Sequence, residues 1–183
     1  MFNQEQVSIK DRSQLFWEGM KIFMGANLIA AFTNIKIFLP NNPVPIVFQT
    51  TVVLLLSILM GRKAAYCVLL FIIEGLIGLP VFAKGGGFLY LFGATGGYIF
   101  GYLVASYVVG IISENLQNKT LAKAFYAMAL GKGLIFFFGC LHLSTFVGFS
   151  QAILLGVLPF LGPDLLKLFL NVCILKKVNW AHR

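Results

Sequence analysis

Four charged residues lie inside otherwise apolar stretches of this 183-residue sequence: Glu74, Lys132, Asp164 and Lys167. A charge at membrane depth costs about 2.5–3.5 kcal/mol on insertion scales unless it is paired or hydrated, so each position needs a reason. Asp164 and Lys167 stand three residues apart on one helix face. They either neutralise each other or form a polar recognition pair, with Lys167 donating to a carboxylate and Asp164 accepting from amide-type N–H groups. Glu74 and Lys132 read as a structural pair between two helices. A further cluster surrounds the triplet Gly85, Gly86 and Gly87, where Phe82, Phe88 and Tyr90 either line a pocket under a closing loop or form an interfacial aromatic belt.

Catalytic chemistry has little to work with. The two histidines, His142 at the end of an apolar run and His182 in the tail, have no Ser, Cys or Asp near them in a triad-like arrangement. The glycines at 85–87 run into Phe88 and Leu89 rather than a Lys-Ser/Thr step, so no phosphate loop is present, and active transport would need energy from a partner. Cys67, Cys140 and Cys173 sit singly in apolar stretches and read as small core residues. No metal or cofactor is expected.

The elements that must position these residues are membrane helices. The composition is 59% hydrophobic and 11% charged, too apolar for the surface of a soluble domain. At about 20 residues per span, six spans use about 120 residues and leave room for short connections alone. The expected layout is a cytoplasmic arm or interfacial helix at 1–18, a six-helix transmembrane domain at 19–177 and a cytoplasmic tail at 178–183. The spans fall at about 19–39, 46–60, 64–79, 91–112 and 121–141, with a tight Gly61-Arg62-Lys63 turn making the second and third antiparallel neighbours. The last region is either one kinked helix or a short piece at 151–158 followed by a sixth span starting at Pro163; the second reading is preferred.

Charge supports six crossings with both termini cytoplasmic. Lys10, Arg12, Lys21, Arg62, Lys63, Lys119, Lys123, Lys176, Lys177 and Arg183 then fall on the inner side, against Lys36 and Lys84 outside. The net charge of +8 is thus explained by topology, and no nucleic-acid partner is expected. Small residues recur at Gly93, Gly97, Gly101 and Ala105, as close helix packing in lipid requires. Ala26 and Ala30 make a second flat spot, facing a sister helix or a separate membrane partner.

Four runs in order carry a resemblance: Pro43-Val-Pro-Ile-Val-Phe-Gln-Thr50, Gly78-Leu-Pro-Val-Phe-Ala83, Gly93-Ala-Thr-Gly-Gly-Tyr98 and Leu158-Pro-Phe-Leu-Gly-Pro-Asp-Leu-Leu-Lys167. Together they resemble the BioY family, the biotin-binding S components of energy-coupling factor (ECF) transporters, with departures at Val47, Ala94 and the order Gly162-Pro163. The resemblance implies an all-α, compact six-helix bundle in the cell membrane that captures biotin from outside. It also implies work with a transmembrane coupling protein and two cytoplasmic ATPases, so the chain itself is not an enzyme. A different vitamin is the alternative ligand, and a membrane-embedded enzyme a more distant reading. The implied site gives Asp164 to the ureido N–H groups, Lys167 to a nearby oxygen and Lys84 to the carboxylate, with Gln49 as a further polar group and Phe82 and Tyr90 covering the rings. Ala26 and Ala30 would form the face that docks on the coupling protein.

Overall fold

A computed structural model describes residues 2–182. Met1 and Arg183, and the side chains of residues 2–11 and of His182, lie outside the described residues, and with them the expected inner-side charges of Lys10 and Arg183. Five stretches are long and apolar enough to cross a membrane: Arg12–Asn34, Gln49–Leu76, Gly96–Glu114, Leu121–Val147 and Phe149–Lys177.

The first belongs to α1 (Phe2–Ala31), one continuous helix that includes the expected arm. It ends earlier than Leu39 because residues 36–37 leave the helix as β1 (Lys36–Ile37), which pairs antiparallel with β2 (Ile46–Val47). This short hairpin is absent from the sequence reading, which placed Lys36–Leu39 and Ile46–Val47 inside spans. The Pro40-Asn-Asn-Pro43 turn folds it back, with Asn41 at φ 56.

The second stretch is two helices, α2 (Gln49–Met60) and α3 (Ala64–Leu76). Gly61 sits at φ 62, ψ −145, a conformation side chains disfavour, and reverses the chain. Val81, just beyond α3, returns to the start of α2, where the Gln49 amide donates to its carbonyl at 3.3 Å. The two helices are therefore the antiparallel neighbours expected. Gly61 also allows α5 (Gly96–Glu114) to approach: a Cβ at Gly110 would lie 2.5 Å from the Gly61 carbonyl carbon.

Between α3 and α5 the chain forms a loop and the one-turn α4 (Phe88–Leu91). α5 packs against α6 (Leu121–Val147) through the small-residue row: a Cβ at Gly97 would meet the Phe138 carbonyl oxygen at 2.5 Å, and one at Gly101 the Ile135 Cα at 3.0 Å. Gly97, Gly101 and Ala105 thus form a packing face within the chain, as lipid-embedded helices need, whereas Gly93 lies before the start of α5.

The last stretch breaks at Val157 (φ −125, ψ −58) into α7 (Phe149–Gly156) and α8 (Leu158–Lys177). A short piece followed by a membrane helix is the preferred of the two expected arrangements, but the start was misjudged. α8 begins at Leu158, with Pro159 in its first positions and Pro163 in its interior. Pro159 offers the same preset φ four residues earlier, and α8 then extends about 30 Å at 1.5 Å per residue, enough to cross. Among the described residues the bundle therefore has six membrane helices: α1, α2, α3, α5, α6 and α8.

Ala26 is fully buried and Ala30 half-buried. Neighbouring Gly25 lies so close to α3 that a Cβ there would be 2.6 Å from Cys67 Sγ. This face of α1 seats a sister helix, the first of the two alternatives. Ala26 is not on a surface open to a partner.

Candidate functional site

The polar residues of the bundle converge near one end, where α2, α5, α6 and α8 meet the loops. On α8, Asp164 and Lys167 lie one turn apart, both buried, with Lys167 Nζ 2.8 Å from Asp164 Oδ1. The helix spacing that suggested a pair is realised. Lys132 on α6 completes the cluster: its Nζ is 2.6 Å from Asp164 Oδ2. The expected Glu74–Lys132 pair is not formed, because α6 turns Lys132 toward α8. Glu74 is buried near the end of α3 and makes no ion pair among the described residues.

The result is a Lys–Asp–Lys triad with one excess positive charge inside the bundle. Asp164 is 3% exposed, Lys132 7% and Lys167 8%. At this depth one carboxylate flanked by two ammonium groups is better than any isolated charge, yet a formal +1 remains to be solvated by dipoles. Lys167 also donates to the Val47 carbonyl at 2.8 Å, and the rings of Phe48 and Phe136 lie 5.8 and 5.1 Å from Lys167 and Lys132 respectively.

The triad forms the floor of a cavity. Its walls include Gln49 and Thr50 of α2, Tyr98 and Tyr102 of α5, Phe136 of α6 and Phe160 of α8, and its roof Val44, Pro45, Phe82, Ala83 and Tyr90. Tyr98 and Tyr102 are one turn apart on α5, and Tyr98 is fixed by a 2.8 Å hydrogen bond to the Gly156 carbonyl at the α7–α8 break. Phe82 stacks on Tyr90 at 4.8 Å between centroids and meets Phe71 edge-on at 5.4 Å. Gly75 makes room for it, since a Cβ there would lie 2.0 Å from the ring. The free volume is about 40 Å³, where a water needs roughly 10–15 Å³.

Five of the six expected ligand residues, Asp164, Lys167, Gln49, Phe82 and Tyr90, line this cavity. Lys84 does not. It is exposed, donates to the Pro43 carbonyl at 3.1 Å and lies 6.0 Å from the Phe38 ring. It ties the glycine-containing loop to the connection between β1 and β2, as Lys36 does by donating to the Ala83 carbonyl at 2.6 Å. Thr33 adds a third tie, donating to the Val81 carbonyl at 2.7 Å and accepting from the Gln49 amide. The roof is therefore two loops laced together over the cavity.

Lys132, Thr50, Tyr98 and Tyr102 were not anticipated as site residues. For Lys132 a signal existed. Once Asp164 and Lys167 pair, Lys132 is the cation left over, and it lies beside Gly131 in the buried run of α6 that includes Met128, Ile135 and Gly139. Among the described residues no group of three His, Cys, Asp or Glu side chains is placed to hold a metal.

A model of the BioY family matches residues 5–183. A probable biotin transporter BioY of Pyrococcus horikoshii is 33% identical over 156 residues, covering 83% of this chain and 92% of the relative. The biotin transporter BioY of Thermotoga maritima is 34% identical over 164 residues, covering 86% and 94%. The fold matches a crystal structure of the S-component for biotin from an ECF-type ABC transporter, with a TM-score of 0.83 at 22% identity over 91% of this chain and 93% of that one.

Proposed function

The chain belongs to the BioY family, and from that membership and the chemistry of the cavity we propose that it is a membrane-embedded S component that captures biotin for an ECF-type transporter. The observation that carries the reading is the buried Lys132–Asp164–Lys167 cluster under an aromatic roof. A ureido ring presents two N–H donors and one carbonyl acceptor. Asp164 supplies the acceptor, Lys132 and Lys167 supply donors, and all three are fixed by one another before ligand arrives. The apolar thiophane ring and side chain suit the Phe82, Tyr90, Phe136 and Phe160 surfaces. The carboxylate lies at the roof, where Lys84 and Lys36 are the cations within the two laced loops.

A bicyclic ligand is larger than the present free volume, so binding requires the roof to part. Gly78, Gly85 and Gly87, at φ 99, 126 and 104, give the 77–87 loop conformations that other residues reach with strain. Its ties to the opposite elements are single hydrogen bonds, worth about 0.5–1.5 kcal/mol net for the Thr33 hydroxyl and up to about 1.5–3 kcal/mol for a lysine ammonium. The glycine-containing loop is the outward gate in this reading, with both termini cytoplasmic. Energy for release comes from a coupling protein and two ATPases; the chain's own role is recognition. Biotin, the lipid bilayer and those proteins are its partners.

The test is calorimetric titration of the purified chain with biotin, with desthiobiotin and lipoate as comparators. Tight biotin binding, retained by desthiobiotin, which keeps the ureido group, and lost with lipoate, is expected. Lys132→Met and Lys167→Ala each leave a neutral pair behind, so the fold persists while biotin affinity falls by at least tenfold. Normal binding by both variants removes the triad from the site, and preference for thiamine or riboflavin over biotin would point to another vitamin.

A further inference from the structure

Behind the triad, on the side away from the roof, lies a second and much smaller cavity bounded by Thr51, Leu54, Leu168 and Asn171 together with Lys132 and Asp164. Four side-chain oxygens buried around it have no hydrogen-bond partner within the chain: Thr50 Oγ1, Thr51 Oγ1, Asn171 Oδ1 and Asp164 Oδ2, the last in ion-pair contact with Lys132. Asn171 is 0% exposed and Thr51 4%. The Asn171 amide nitrogen is already committed to the Thr51 carbonyl at 3.0 Å, which fixes the side chain and leaves its oxygen free to accept. Lys132 spends one donor on Asp164 and has three to give.

We propose that this pocket is a built site for one ordered water, which links the Lys–Asp–Lys triad to Asn171 and Thr51. The free volume is about 10 Å³, close to the roughly 10–15 Å³ that one water needs and too small for an organic ligand. The donors and acceptors match a water's: it donates to Asn171 Oδ1 and accepts from Lys132 Nζ and from the Thr51 hydroxyl. Two ammonium groups at the wall repel a cation, and the carbonyl oxygen of Asn171 repels an anion. The water supplies part of the solvation that the excess positive charge lacks and holds Lys132 toward Asp164 from behind. Thr51 and Asn171 are thereby positioning residues for the triad, acting through the water without touching the ligand in the main cavity.

This inference rests on the biotin reading for its functional arm alone. A high-resolution crystal structure of the chain, grown with and without added biotin, tests the site directly. Density for a single water within hydrogen-bond distance of Asn171 Oδ1 and Thr51 Oγ1 is expected, and a dry pocket overturns the proposal. Thr51→Val is nearly isosteric and deletes the hydroxyl, whereas Thr51→Ser keeps it. Thr51→Val should weaken biotin by about tenfold, the scale of one hydrogen bond to a charged group, while Thr51→Ser binds as the parent does. Equal biotin affinity for Thr51→Val and the parent overturns the positioning role. If Thr51→Val does not fold, the parent's density still decides whether the water is there. A parent chain that fails to bind biotin but shows the water separates failure of the biotin reading from failure of the site.

Discussion

Removing different members of one cluster should have opposite effects on stability. Asp164→Asn leaves Lys132 and Lys167, both more than nine-tenths buried, without a counter-charge, and breaking a buried pair in this way costs about 3–5 kcal/mol. Lys132→Met instead removes the excess charge and leaves Asp164 paired to Lys167 at 2.8 Å, so stability should be unchanged or higher. Thermal unfolding in one detergent checks both; similar losses for the two variants would contradict the charge count. Biotin binding should fall in both, which separates recognition from folding. Asp164 and Lys167 were legible in the sequence because their pairing is local, one turn of one helix. The role of Lys132 was not, because its partner lies 32 positions away and only the packing of α6 on α8 decides between Glu74 and Asp164. The place of Lys84 was not legible for a similar reason: only the fold shows that it lies in the roof loop against the Pro43 carbonyl and not in the closed cavity.

The elements over the cavity act as a laced pair of loops. Phe82 reaches its place because Gly75 has no side chain; a Cβ at that position would fall 2.0 Å from the ring. Gly75→Ala should therefore push Phe82 off its stack with Tyr90 and cut biotin affinity by about tenfold or more. An unchanged affinity would show that the ring is not part of the closed roof. Lys84→Met should act differently, releasing the bond to Pro43 and raising the biotin dissociation rate more than it lowers the association rate. Stopped-flow exchange of labelled biotin distinguishes the two, and equal dissociation rates for Lys84→Met and the parent would remove Lys84 from the latch. Helix positions were legible from long apolar runs and from the Gly61-Arg62-Lys63 turn. The β1–β2 hairpin was not, because Ile35–Leu39 and Pro45–Phe48 are as apolar as the neighbouring spans, and two-residue strands carry too few side chains for an alternation to register. Two prolines four residues apart made the start of α8 ambiguous, and the earlier one prevailed.

The proposed six-crossing topology puts both ends of the chain on the cytoplasmic side of the membrane, with the laced loops opposite. In a cysteine-free background, Gln14→Cys and Lys177→Cys should react together with an impermeant maleimide only from the cytoplasmic side; labelling from opposite sides would require an odd number of crossings. One long element sets a mechanical property of the whole. At 30 residues, α1 is about 45 Å long at 1.5 Å per residue, against about 30 Å of hydrocarbon, so its N-terminal end stands well clear of the bilayer. Midway along the helix Glu18 is pinned to Lys63 at 2.5 Å and to Lys21 at 3.0 Å. Just past the other end Thr33 is bonded to the Val81 carbonyl under the roof. An unbroken helix resists bending, so α1 is a lever whose long arm protrudes and whose short end touches the gate. Whatever grips the protruding arm has a direct mechanical hold on the loop that covers the ligand.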